Sequence, residues 1–200
     1  MADPTLTARQ RSPLALAADR MAATTRSSRG AVRLAEVPFL AQINVRLDAK
    51  SPAADAVGLA LGLQLPLEPG TVVRAGDWAA VWLGPDEWLV VGRPGTQRDL
   101  ESRIRSAAGD EPVSVTDVSA QRTTILVGGP RARDLLSHGC PLDLHPRAFG
   151  PGRSAQTTLA RTHVILVARD APEAGFWVLV RSSFAGYLTD WLLDAAVEYG

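Results

Sequence analysis

One structural plan is written twice in this chain, and that constrains the fold more than any single motif. In the first half, Gln42-Ile-Asn-Val-Arg-Leu47 alternates polar and apolar residues as a half-buried strand does. A helix follows, with Ser51 as N-cap, Pro52 at the first helical position, an apolar stripe of Ala53, Ala56, Val57, Ala60 and Leu61, and Gly62 as a left-handed stop; Gly58 weakens it. Strands are predicted over 71–74, 78–83 and 87–91, the last two joined by the turn Gly84-Pro85-Asp86. A second helix spans 96–108, with Thr96 and Asp99 as a capping pair and Leu100, Ile104, Ala107 and Ala108 on one face.

The second half repeats this order. Strands at 113–118 and 123–127 lead through Gly128-Gly129-Pro130, with Pro130 preset to open the helix, into a short helix that ends at His138 and Gly139. Strands at 156–160, 163–168 and 176–181 follow, and a helix from Ser183 to about Glu198 closes the chain. Its apolar stripe is Phe184, Tyr187, Leu188, Trp191, Leu192 and Ala195, with Thr189, Asp190, Asp194 and Glu198 opposite. Each short helix precedes a proline, Leu65-Pro66 in one half and Cys140-Pro141 in the other. Adjacent strands with intervening helices imply an α+β architecture, in which two related halves, about 38–118 and 119–200, form antiparallel sheets with packed helices. Residues 31–200 then make one globular domain. The segment 1–30, with Arg9, Arg11, Arg20, Arg26 and Arg29 among Ser, Thr and Ala, reads as an arm that orders against a partner.

Composition narrows the function. The 21 basic and 21 acidic residues balance, so the chain lacks the excess positive charge that neutralises nucleic-acid phosphates. The longest aliphatic runs, 164–168 and 177–180, fall far short of the roughly 20 residues of a membrane span. A single cysteine, Cys140, excludes an internal disulfide and a multi-cysteine zinc site and is compatible with the cytoplasm.

No residue group passes the nucleophile, base and stabiliser test of an active site. Gly128-Gly129-Pro130-Arg131 fits neither a Walker loop nor a dinucleotide fingerprint and reads as a tight turn. His138 and Cys140 diverge at a helix end, where the imidazole suits the dipole and the cysteine is a small buried hydrophobe. His145 and His163 have no metal-ligand spacing. Asp86 and Glu87 point to opposite faces of an extended chain. Asp117, Ser119 and Arg122 read as structural caps at the junction of the halves, Arg122 pairing with Asp117 or a carbonyl; a place in a folate pocket is the weaker alternative. The tryptophans Trp78, Trp82, Trp88, Trp177 and Trp191 are either a flavin- or folate-stacking surface or core and interface residues. Even spacing of the first three predicts an aromatic face on the hairpin, suited to docking.

The segment Trp82-Leu-Gly-Pro-Asp-Glu-Trp88, with Arg122-Thr123 and Gly139-Cys-Pro-Leu-Asp-Leu144, resembles the gamma subunit of heterotetrameric sarcosine oxidase. The likeness runs from Ser12-Pro13-Leu14 to Ser183-Phe-Ala-Gly-Tyr187 and Trp191-Leu192. It implies a fold similar to the folate-binding aminomethyltransferase domain of the glycine cleavage T protein, and a non-catalytic subunit with no catalytic, cofactor-binding or metal-ligating residue of its own. It also implies alpha, beta and delta partner subunits, with FAD, FMN, NAD, tetrahydrofolate and zinc held on those chains. The assembly would turn sarcosine, oxygen and tetrahydrofolate into glycine, methylenetetrahydrofolate and hydrogen peroxide. An independent folate-binding or aminomethyltransferase-like protein is the alternative, although the Lys-Gly-Cys-Tyr-x-Gly-Gln-Glu signature of some relatives of that fold is absent. A third reading is a scaffold for another amine oxidase.

Overall fold

The computed structural model describes residues 10–170 and 174–200. Among the described residues, ten strands form two five-stranded sheets in which every pairing is antiparallel. The first sheet holds β2 (Ala41–Arg46), β3 (Val72–Ala75), β4 (Trp78–Gly84), β5 (Glu87–Gly92) and β6 (Ser114–Asp117), ordered β3-β4-β5-β2-β6. The second holds β1 (Arg33–Val37), β7 (Arg122–Gly128), β8 (Ser154–Leu159), β9 (Thr162–Arg169) and β10 (Gly175–Arg181), ordered β8-β9-β10-β7-β1.

The two orders correspond strand for strand, so the predicted duplication is visible in the topology. The outermost pair is exchanged. β1 directly precedes β2 in the chain yet pairs with β7, placing Val37 opposite Thr124, and β6 directly precedes β7 yet pairs with β2, placing Ile43 opposite Asp117. Each half thereby completes its sheet with the segment that leads into the other half. β1 is absent from the sequence-based reading because five residues, two of them charged, carry too little alternation to stand out.

The layers are helix, sheet, sheet, helix. Helices α2 (Pro52–Leu61) and α3 (Gln97–Ala108) cover the first sheet through Ile43, Val45, Trp88, Val90, Leu100 and Ile104. The two sheets meet through Val81, Leu89, Val91, Ile165, Val167 and Leu179. Helices α1 (Ala18–Ser27), α4 (Ala132–Ser137) and α5 (Ala185–Ala195) cover the second sheet through Met21, Leu135, Leu136, Leu188 and Leu192. Because both faces of each sheet are buried, the central strands are continuous apolar runs, as in Ile125-Leu126-Val127 and Val164-Ile-Leu-Val-Ala168.

Local signals were realised unevenly. Gly62 takes the left-handed stop at φ 66° and Pro52 opens α2, as predicted. The capping side chains do not cap: Ser51 Oγ donates back to the Asp48 carbonyl at 2.8 Å, and Thr96 Oγ1 to the Arg93 carbonyl at 2.7 Å. Asp99 instead pairs with Arg103 one turn on, at 2.9 Å. Pro130 lies two residues ahead of α4 rather than at its first position, because the preceding Gly129, at φ 93°, folds the chain against Ala31.

Two further readings change. Residues 1–9 of the expected arm lie outside the described residues. Its remainder, however, carries α1, and Leu14 and Met21, seven residues apart, are buried in the core of the second sheet. The isolated arginines mask this apolar pair in the sequence. The last helix is also rotated from its expected setting: Ala185, Leu188, Thr189 and Leu192 are buried, while Phe184 and Tyr187 are about two-fifths exposed. Thr189, expected to face solvent, is in the core.

Candidate functional site

The residues singled out in the sequence fall at separate places. At the junction of the halves, the Asp117 carboxylate accepts the Ser119 backbone N–H at 2.9 Å, and Ser119 Oγ accepts the backbone N–H of Gln42, also at 2.9 Å. These two residues close a turn and tie it to β2, which is the capping role expected of them. Arg122 departs from the expectation: its guanidinium donates to Gln121 rather than to Asp117, and its own carbonyl accepts Gln42 Nε2 at 3.1 Å.

Asp86 and Glu87 diverge. Asp86 pairs with Arg46 at 3.0 Å, and Glu87 accepts from Asn44 Nδ2 at 2.7 Å. His138 caps α4 and contacts the Tyr199 hydroxyl at 3.0 Å, with Glu198 3.7 Å away; Cys140 is buried. Burial, then Asp134 and Glu198, raise the Tyr199 pKa, opposed by Arg131. His145 accepts a backbone N–H from Arg147 in its own loop. The amide of Arg131, in the glycine-rich turn, already donates to the Ala31 carbonyl at 2.9 Å. Among the described residues no three His, Cys, Asp or Glu side chains gather as a metal site, and no helix is long and apolar enough to cross a membrane.

The five tryptophans do not gather at one place. Trp82 and Trp88 are register partners on β4 and β5 and share a face with Trp78, as predicted. Most of that face packs under α2 and α3 rather than standing free: Trp88 is fully buried and donates Nε1–H to the Pro66 carbonyl at 2.7 Å, and Trp78 packs against the same cluster, while Trp82 stays partly exposed. Trp177 lies half-buried between the sheets with the Arg169 guanidinium 3.8 Å from its ring centroid. Trp191 packs so closely on Gly139 that a Cβ there would sit 2.7 Å from the indole. Trp78 and Trp177, by contrast, both border a surface cleft of about 340 Å³ with Arg74 and Arg169.

Two surface features escape the sequence reading. A groove of about 500 Å³ along α2 is lined by Ala54, Gly58, Leu59, Leu63 and Leu67, of which Leu59 is 85% and Leu67 60% exposed. Periodicity places Leu59 off the α2 stripe, but it cannot say whether a polar-face leucine meets solvent or a neighbour. The second feature is a cleft of about 440 Å³ at the end of the inter-sheet layer. It holds Arg122, His163 and Arg181, which come together only through the pairing of β7, β10 and β9. Arg122 is half-buried, and its pKa is lowered by burial first and by Arg181 second, with Glu87 offsetting part of the shift.

Comparison with known proteins adds what the geometry alone leaves open. Residues 46–198 match the family described as "Sarcosine oxidase, gamma subunit family". The sarcosine oxidase subunit gamma of an Arthrobacter species is 40% identical over 194 residues, covering 96% of this chain and 93% of that protein. Its counterpart from Corynebacterium sp. (strain P-1) is 39% identical over 95% of this chain and 91% of that protein. Among solved structures, the chain is similar to one in the heterotetrameric sarcosine oxidase from Corynebacterium sp. U-96, with TM-score 0.85 and 36% identity over 95% of this chain and 96% of that one. The aminomethyltransferase T of the glycine cleavage system from Bartonella henselae, at 14% identity and TM-score 0.64, covers 85% of this chain and 48% of that one and shares the fold alone. With a family match across three-quarters of its length and near-full-length relatives at this identity, the chain belongs to the sarcosine oxidase gamma subunit family.

Proposed function

We propose that this chain is the non-catalytic gamma subunit of a heterotetrameric sarcosine oxidase, serving assembly of a complex that oxidatively demethylates sarcosine to glycine. The observation that carries this reading is the near-complete overlap, at TM-score 0.85, with a chain of a heterotetrameric enzyme of that name. The scattered placement of His138, Cys140, Asp86 and Glu87, each engaged with a different local partner or buried, agrees with it. In this reading alpha, beta and delta subunits of the bacterial cytoplasm hold FAD, FMN, NAD, tetrahydrofolate and zinc, and methylenetetrahydrofolate and hydrogen peroxide leave from those chains.

Coexpression of a tagged chain with its neighbouring reading frames tests the proposal. A yellow four-chain assembly that consumes oxygen with sarcosine is the expected product. Turnover of sarcosine, or micromolar binding of tetrahydrofolate, by the chain alone would overturn it in favour of an independent folate-binding protein.

A further inference from the structure

The inner face of the second sheet is only partly covered. Trp177, Leu179, Val167 and Ile165 lie in the inter-sheet core, but the next residues along the same face, Arg181 on β10 and His163 on β9, extend past it. Arg122 is the register partner of Arg181, so the two side chains leave the same face of neighbouring strands and both line the cleft, the Arg122 guanidinium also donating to the Gln121 amide oxygen. Thr158 stands opposite His163 in the β8–β9 pairing, and Gln156 of the same strand reaches across to donate to the Leu83 carbonyl at 2.8 Å, walling the cleft against the first sheet. No Asp or Glu lines the cleft, and the described residues place no carboxylate in an ion pair with either arginine. The nearest acidic influence, Glu87, is already bound to Asn44.

Two like charges held side by side, one of them half-buried, oppose folding, since each raises the cost of charging the other. Such an arrangement suits a ligand that carries the opposite charge. A carboxylate matches the planar fork of a guanidinium in both shape and charge, and bridges two forks with its two oxygens. The threonine hydroxyl and imidazole add hydrogen-bonding partners around it.

We propose that Arg122 and Arg181, with His163 and Thr158, form a carboxylate-binding socket at the open end of the inter-sheet layer. Two sources supply that group: an acidic side chain of a neighbouring subunit, or a free small acid. The subunit source rests on the gamma-subunit reading, whereas the free-acid source does not.

The test uses the full chain and its R181Q and R181K variants, since Arg181 is exposed and its replacement leaves the core intact. Sodium succinate is titrated against sodium chloride at constant ionic strength while the arginine Nε–H resonances are followed. The same three chains are coexpressed with the other subunits, and their retention in the complex is measured against salt. A saturable shift at Arg122 and Arg181 that weakens roughly tenfold in R181Q, with R181K between, establishes a site for a free acid. A roughly tenfold loss of R181Q from the complex, with R181K between, assigns the group to a partner subunit. Absence of both effects overturns the socket. Failure of the unmodified chain to join any complex would defeat the gamma-subunit reading, and the succinate titration alone would then decide the socket.

Discussion

At the scale of single residues, the least replaceable atoms are those that rule out a simpler side chain. Gly58 sits inside α2, where Ala would ordinarily raise helix propensity by about 1 kcal/mol. A Cβ at this position would lie 2.7 Å from the Leu63 carbonyl oxygen, a backbone atom that cannot rotate away. Gly58→Ala is therefore expected to lower stability by about 1–3 kcal/mol in a urea melt, the opposite of the propensity effect. Trp88→Phe is expected to cost about 1–3 kcal/mol, because it strands the buried Pro66 carbonyl that now accepts the indole N–H. Thr189 carries the reverse expectation. Its Oγ1 is buried with no hydrogen-bond partner, so Thr189→Val, nearly isosteric, should leave stability unchanged or raise it by about 1 kcal/mol in the same assay.

At the scale of elements, α1 shows how a segment rich in arginine and serine becomes part of a core. Leu14 and Met21 insert beneath α5, and the Arg20–Asp190 ion pair at 2.7 Å spans the two helices at the surface. The ion pair is exposed on both sides and contributes little. The two apolar anchors hold the helix in place. Leu14→Ala with Met21→Ala should remove about 4–10 kcal/mol, each truncation costing about 2–5 kcal/mol where the site cannot collapse. Hydrogen exchange across 18–27 should then approach unprotected rates; if the amides of the unmodified free chain are already unprotected, α1 needs a partner to form. The hairpin of β4 and β5 offers the complementary lesson. Its even tryptophan spacing was readable as a shared face, but a pattern with period 2 does not record what lies on that face. Here it is α2 and α3.

At the scale of the whole molecule, the four layers leave each helical face to meet solvent or a neighbouring chain. Leu59 and Leu67 on the α2 side make an exposed apolar groove of the kind that marks a protein contact. We expect Leu59→Glu to alter the stability of the free chain by less than about 0.5 kcal/mol, because none of the described residues covers that side chain. Its recovery with coexpressed subunits should fall by at least about tenfold if the groove is part of the interface, since a buried unpaired carboxylate costs several kcal/mol. Equal recovery of the variant and the parent chain would remove α2 from the interface.

The sequence by itself determined the α+β class, most strand and helix spans and the twofold plan, because these follow from local periodicity and from glycine and proline turn chemistry. It also carried the family likeness, through short motifs whose order the chain preserves. Only the tertiary structure decided that β1 and β6 trade sheets, that Trp88 is core, that Thr189 is buried, and that Arg122 and Arg181 become neighbours. These outcomes depend on which surfaces meet between elements apart in the chain, from Trp88 and Pro66 at a separation of 22 residues upward, and no local pattern encodes the identity of such a partner.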